Sequence, residues 1–137
     1  MIGILIVSHG AFGESLIHCA SHVLGKRPLR VRQVGVTVHD DPDLILPVAQ
    51  ELAKQLDEGQ GVLVMTDMVG ATPSNIASRL YVPGRVEIIA GANLPMLVRA
   101  LTYRHESLPS VIAKAISGGR DGVTYLNEGN LHAAAGS

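Results

Sequence analysis

The amino-acid sequence predicts a single α/β domain: one doubly wound, mainly parallel sheet in the strand order 2-1-3-4, with helices on both faces. Three observations carry this. Strand-like and helix-like stretches alternate from the first residue, which is the pattern that builds parallel sheets. Two of the strand-like stretches, Met1–Val7 and Gly61–Thr66, are continuous apolar runs, as strands covered on both faces require. The chain has 137 residues and is 47% hydrophobic, enough for one core without a metal or disulfide staple.

The elements follow in order. Met1–Val7 is bounded by Ser8, His9 and Gly10. Phe12, Leu16, Cys19 and Val23 then recur at helical spacing, with Gly25 as the stop. That spacing assigns Cys19 to the apolar face of the first helix, as a buried and inert thiol. Arg30–Val36 alternates apolar and polar residues and reads as a more exposed strand. Asp41 and Pro42 start the second helix, a capping carboxylate followed by proline at the first helical position. Leu44, Val48, Leu52 and Leu56 extend it, and Ile45, Ala49 and Ala53 widen its apolar stripe. After the strand Gly61–Thr66 comes a glycine-containing loop, Asp67–Thr72, and Pro73 opens a third helix running to Tyr81. Val86–Ala90 is a fourth strand, followed by a turn over Gly91–Pro95, a helix over Pro95–Tyr103 and an amphipathic helix over Leu108–Ser117. Gly122–Leu126 reads as a last, short strand, which closes a domain over residues 1–126. Residues 127–137 are small and polar and read as a disordered tail. No internal repeat or linker divides the domain.

Composition excludes several function classes. Eleven Lys and Arg residues against twelve Asp and Glu give a net charge of −1, which argues against a broad nucleic-acid footprint. With no Trp, one Phe and three Tyr there is little to stack on bases or sugar rings. Apolar runs fall short of the roughly 20 residues of a membrane span. The first strand lacks the basic start and cleavage site of a signal peptide. Cys19 is the sole cysteine, so no internal disulfide forms, and a reducing cytoplasm is the expected compartment.

In a parallel sheet ligands bind beyond the carboxyl ends of the strands, where the strand order reverses. For the order 2-1-3-4 that point lies between strands 1 and 3, where Ser8-His9-Gly10 and Asp67–Thr72 meet. The imidazole of His9 can serve as nucleophile, base or metal ligand. Alone, it would more often be a packed strand-end residue, and Asp67 alone a turn or cap. Together the odds reverse: Asp67 can accept the Nδ1–H of His9 and leave Nε2 with its lone pair exposed. Gly70, Ala71 and Thr72 lead into the third helix, whose free N–H groups favour an anion, and Gly10 joins them as a phosphate-binding residue. His18, His22, His39, His105 and His132 read as surface, cap or tail. One His and one Asp are too few for a metal site, and no cofactor is implied. The P-loop, dinucleotide-binding and nucleophile-elbow motifs are missing.

Four segments in order carry a resemblance. Ser8-His9-Gly10, Asp67–Pro73, Asn75–Arg79 and Gly91–Met96 together resemble the IIA component of the mannose-type bacterial sugar phosphotransferase system, over about residues 1–126. The resemblance implies a phosphotransferase with a phosphohistidine intermediate. His9 takes a phosphoryl group on Nε2 from the histidine phosphocarrier protein HPr and passes it to a IIB protein. Asp67 holds the other imidazole nitrogen, and Gly70–Thr72 receives the phosphoryl oxygens. It further implies a cytoplasmic homodimer, with Gly122–Leu126 crossing antiparallel to the partner's sheet and the membrane reached only through a permease. Met68 departs from relatives that carry a hydroxyl residue there. Because the chain ends soon after the last strand, the IIB acceptor is expected to be a separate protein. The competing readings are a regulatory module switched by phosphorylation of His9, the phosphocarrier subunit of a dihydroxyacetone kinase, and a small-molecule binding domain with no covalent step.

Overall fold

In the computed structural model, which describes residues 1–131, four strands pair in parallel in the order β2-β1-β3-β4. They are β1 (Gly3–His9), β2 (Val31–Val36), β3 (Val62–Thr66) and β4 (Val86–Ala90). Five helices connect and follow them: α1 (Phe12–Leu24), α2 (Pro42–Leu56), α3 (Thr72–Ser78), α4 (Leu94–Tyr103) and α5 (Leu108–Asp121). This is the predicted order, with helices on both faces.

The two inner strands, β1 and β3, are apolar up to their ends, Ser8-His9 and Thr66, because both their faces are covered. Ile4 and Ile6 of β1, with Leu63 and Met65 of β3, pack beneath α1, α4 and α5. Leu5 and Val7, with Val62 and Val64, pack beneath α2 and α3. Each such side chain contributes about 1.5–3 kcal/mol by burial, so these two strands anchor the domain.

The apolar stripes of α1 and α2 are rotated from the predicted ones. In α1 the buried residues are Gly13, Leu16, Ile17 and Ala20, while Phe12, Cys19 and Val23 are exposed. The small residues Gly13 and Ala20 allow the closest approach to the sheet, and the helix settles on that side. The buried thiol expected at position 19 is therefore an exposed one. In α2 the Asp41 carboxylate caps the helix as predicted, accepting from the Asp43 N–H at 3.0 Å. Its core face is Leu46, Ala49, Ala53 and Leu56, which leaves Leu44 and Val48 in solvent.

Three boundaries also move. α3 ends at Ser78 rather than Tyr81, because the Arg79 and Leu80 N–H groups bond only three residues back and Val82 turns to pair with Val86. α5 continues past Ser117 to Asp121, and Gly118 and Gly119 pack against Arg99 and Met96 of α4. The predicted strand Gly122–Leu126 is irregular chain: it pairs with no strand among the described residues, and Val123, Tyr125 and Leu126 are exposed. After it, Asn127 and Asn130 hydrogen-bond each other's segment in a turn. The expected tail beyond residue 131, His132 included, lies outside the described residues. No helix among the described residues is long and apolar enough to cross a membrane.

At the amino ends of the strands, Arg104 follows α4 and is buried at 5% exposure. Its guanidinium donates to the carbonyls of Ile2, Leu29 and Arg30, which ties α4 to the starts of β1 and β2. The opposite end of the sheet is left for chemistry.

Candidate functional site

At the carboxyl edge β1 outruns β3. Val7 is in register with Thr66, the last residue of β3, and β1 continues to His9, which pairs across to Val36. Asp67 leaves β3 immediately beside it, and the two side chains meet. His9 Nδ1 lies 2.6 Å from Asp67 Oδ2, and the His9 backbone N–H donates to the same oxygen at 2.9 Å. The Met68 N–H donates to Oδ1 at 3.0 Å. The carboxylate is thus gripped by the end of β1 and by the loop that follows β3, and it fixes both the direction of the imidazole and its tautomer. With Nδ1–H donating to Asp67, the lone pair belongs to Nε2, which has no partner among the described residues. The His9 side chain is 53% exposed and that of Asp67 only 15%, so the ring faces outward over a sheltered anion.

The electrostatics follow from these contacts. Burial alone would raise the Asp67 carboxyl, but the His9 backbone N–H, the imidazole and the Met68 N–H outweigh it and hold the group below its ordinary value. The stabilisation this brings is complete above the unfolded carboxyl value and is lost only as pH falls through the lower folded one. Asp67 therefore stays ionised throughout neutral and mildly acidic solution.

Gly35 sets the path of the chain after His9. Gly10, at φ +49°, donates its N–H to the Val36 carbonyl at 3.0 Å and lays its own carbonyl against Gly35. A Cβ at position 35 would overlap that carbonyl oxygen. Gly35→Ala is expected to destabilise the protein by about 1–3 kcal/mol, as overpacking does, and to push the His9–Gly10 turn away from Asp67. Urea denaturation read beside the His9 ring resonances checks both effects. Unchanged stability and unchanged resonances would show that this packing does not position the imidazole.

The other predicted residues fall at the same edge. Gly70, at φ +89°, turns the chain into α3, and Ala71 stands at the cap with no side chain bonded across it. The N–H groups of Gly70, Ala71 and Thr72 donate to no acceptor among the described residues, and Thr72 is exposed. Gly10 joins the site differently from them, because its N–H is held by Val36. Ser8 points the other way, its hydroxyl buried beneath Gly13.

One feature of this edge has no counterpart in the sequence reading. Phe12, Val38, Leu44, Met68 and Val69 are all exposed, and all lie in the segments that leave β1, β2 and β3 at the His9 end. Phe12 and Leu44 belong to helical periodicities that pointed to the core. Val38 and Val69 were legible as apolar residues inside loops.

A family model described as the PTS system fructose IIA component matches residues 3–116, which include His9, Asp67 and Thr72. The PTS system mannose-specific EIIAB component of Escherichia coli (strain K12) is 33% identical over 137 residues, covering 98% of this chain and 42% of that protein. This chain thus spans less than half the length of that relative. The transcriptional regulatory protein LevR of Bacillus subtilis (strain 168) is 30% identical over 133 residues, 96% of this chain and 12% of that protein. Among solved structures, the phosphotransferase system component EIIA from Streptococcus agalactiae superposes with a TM-score of 0.81 at 25% identity, covering 91% of this chain and 97% of that one.

Proposed function

The chain belongs to the family of the PTS system fructose IIA component, and from that premise we propose that it is a phosphocarrier whose His9 Nε2 accepts a phosphoryl group from HPr and passes it to a IIB protein. The observation that carries this reading is the His9–Asp67 pair, with Nδ1 held at 2.6 Å and Nε2 turned to solvent.

The chemistry asks for position and charge. The Nε2 lone pair attacks phosphorus, the bond to the donor's imidazole nitrogen breaks, and its electron pair leaves with the donor. Positive charge that develops on the His9 ring is met by Asp67, ionised and already in contact. The phosphoryl oxygens are taken up by the N–H groups of Gly70, Ala71 and Thr72 and by the Thr72 hydroxyl, with Gly10 leaving room beside the ring. The exposed side chains of Phe12, Val38, Leu44, Met68 and Val69 give donor and acceptor proteins an apolar surface around the reacting nitrogen. Beyond Val86, which pairs with Val82, the outer edge of β4 has no neighbouring strand among the described residues, and Val123, Tyr125 and Leu126 are exposed, which supports a homodimer in which Gly122–Leu126 crosses to the partner's sheet. A cytoplasmic location follows from those partners.

The test is intact-mass measurement after incubation with phosphoenolpyruvate, enzyme I and HPr from the same organism. One acid-labile phosphoryl adduct is the expected product, and its absence would end the phosphocarrier reading. Asp67→Asn is expected to slow adduct formation by about 10²–10⁴-fold, because an amide N–H facing Nδ1 selects the wrong tautomer and offers no charge. Rapid-quench mass spectrometry measures that rate, and a rate within a few-fold of wild type would remove Asp67 from the mechanism.

The match to a transcriptional regulatory protein across 96% of this chain favours a second reading, in which phosphorylation of His9 ends the relay and controls partner binding by adding charge. It predicts that the phosphorylated chain gives up its group to no IIB protein of its organism.

A further inference from the structure

Away from the His9 edge, α1 presents His18, Cys19 and His22 on its exposed side. His18 and His22 are four residues apart, one helical turn, and their rings stand 4.9 Å apart centroid to centroid in an edge-to-face arrangement at 85°. That separation is what two imidazoles need around a shared cation. With each ring nitrogen about 2.0–2.1 Å from a metal, the two centroids come to about 4.5 Å at a right-angled centre and about 5.2 Å at a tetrahedral one. The observed value falls between them. From the edge-to-face arrangement, a shared cation requires the two rings to turn about their side-chain bonds. Two histidines at this spacing on one helical face are a proven way to supply a pair of metal ligands.

We propose that His18 and His22 form a chelating site for a divalent transition cation of the imidazole-binding class (Zn²⁺, Ni²⁺ or Cu²⁺). Ring nitrogen suits these ions, whereas Mg²⁺ and Ca²⁺ prefer oxygen. Among the described residues no group of three or more His, Cys, Asp and Glu side chains is placed to hold a metal, so the pair supplies two positions and water the others. His18 and His22 lie on α1 and take no part in the His9–Asp67 contact.

The experiment is calorimetric titration of Ni²⁺ into the Cys19→Ser protein, chosen so that the exposed thiol cannot stand in for the imidazoles. One Ni²⁺ per chain is expected. His18→Gln and His22→Gln, made singly in the same background, are expected to lose it in the concentration range where the parent saturates, and His39→Gln to keep it. All these side chains are exposed, and far-ultraviolet circular dichroism confirms that each variant is folded. No binding by the parent, or binding undiminished in His18→Gln and His22→Gln, would overturn the proposal.

Discussion

His9→Ala is expected to abolish the phosphoryl adduct completely while changing the stability of the protein by no more than about 1 kcal/mol. The two halves of that expectation come from different atoms. The acceptor is a single ring nitrogen, and alanine has none. The fold depends instead on the His9 backbone, whose N–H donates to Asp67 Oδ2 at 2.9 Å and whose strand position pairs with Val36. Alanine keeps both contacts. The imidazole itself is 53% exposed, so its removal opens no cavity in either core cluster. Intact mass with phosphoenolpyruvate, enzyme I and HPr gives the first quantity and urea denaturation the second. An adduct that persists in the variant would place the acceptor elsewhere, with His39 and His105 as the next residues to replace. A variant that neither accepts phosphoryl nor folds would show that the pair with Asp67 is structural, a role the solvated ring gives no reason to expect.

The His9–Asp67 pair was legible because topology alone predicts it. Two continuous apolar runs had to be the inner strands, and the residues that end adjacent parallel strands must meet at one edge. Asp41 with Pro42 was legible for a local reason, since cap and first-turn proline act within three residues. Failures appear where the outcome depends on what an element packs against. The row Phe12, Leu16, Cys19 and Val23 is as periodic as the row that is buried. Nothing local says that the helix will settle on Gly13 and Ala20, and the fate of Cys19 turns on that choice. The same holds for Leu44 and Val48 against Ala49 and Ala53 in α2. Gly122–Leu126 has strand composition, but a strand requires a neighbour, and none pairs with it among the described residues. The free N–H groups of Gly70, Ala71 and Thr72 were readable from the turn chemistry, whereas the engagement of the Gly10 N–H with Val36 depends on how β2 lies against β1.

Arg104→Leu is expected to cost about 3–5 kcal/mol, a large part of the total stability of a domain of this size. From the sequence Arg104 is an ordinary basic residue after a helix, placed where it would complement the helix dipole. The structure instead buries it against three carbonyls. Nε and Nη2 donate to Ile2 O at 3.0 and 2.8 Å, Nη2 also to Arg30 O at 2.9 Å, and Nη1 to Leu29 O. Burial pulls the guanidinium below its usual range, Glu58 acting against this and Arg30 with it, yet Arg remains charged in proteins. Leucine would fill the space but leave the Ile2 and Leu29 carbonyls without that donor, while Arg30 O keeps the Ile4 N–H at 3.2 Å. Arg104→Lys should recover only part of the loss, because a single ammonium cannot span carbonyls that the planar fork reaches together. Urea midpoints for the three proteins at an unchanged slope give the measurement. The clamp lies at the amino ends of β1 and β2 and His9 at the carboxyl end of β1, so the folded fraction of each variant should accept phosphoryl at the wild-type rate. Equal midpoints for Arg104→Leu and wild type would show that water satisfies these carbonyls as well as the guanidinium does. A rate loss out of proportion to unfolding would show instead that strain at one end of β1 is felt at the other.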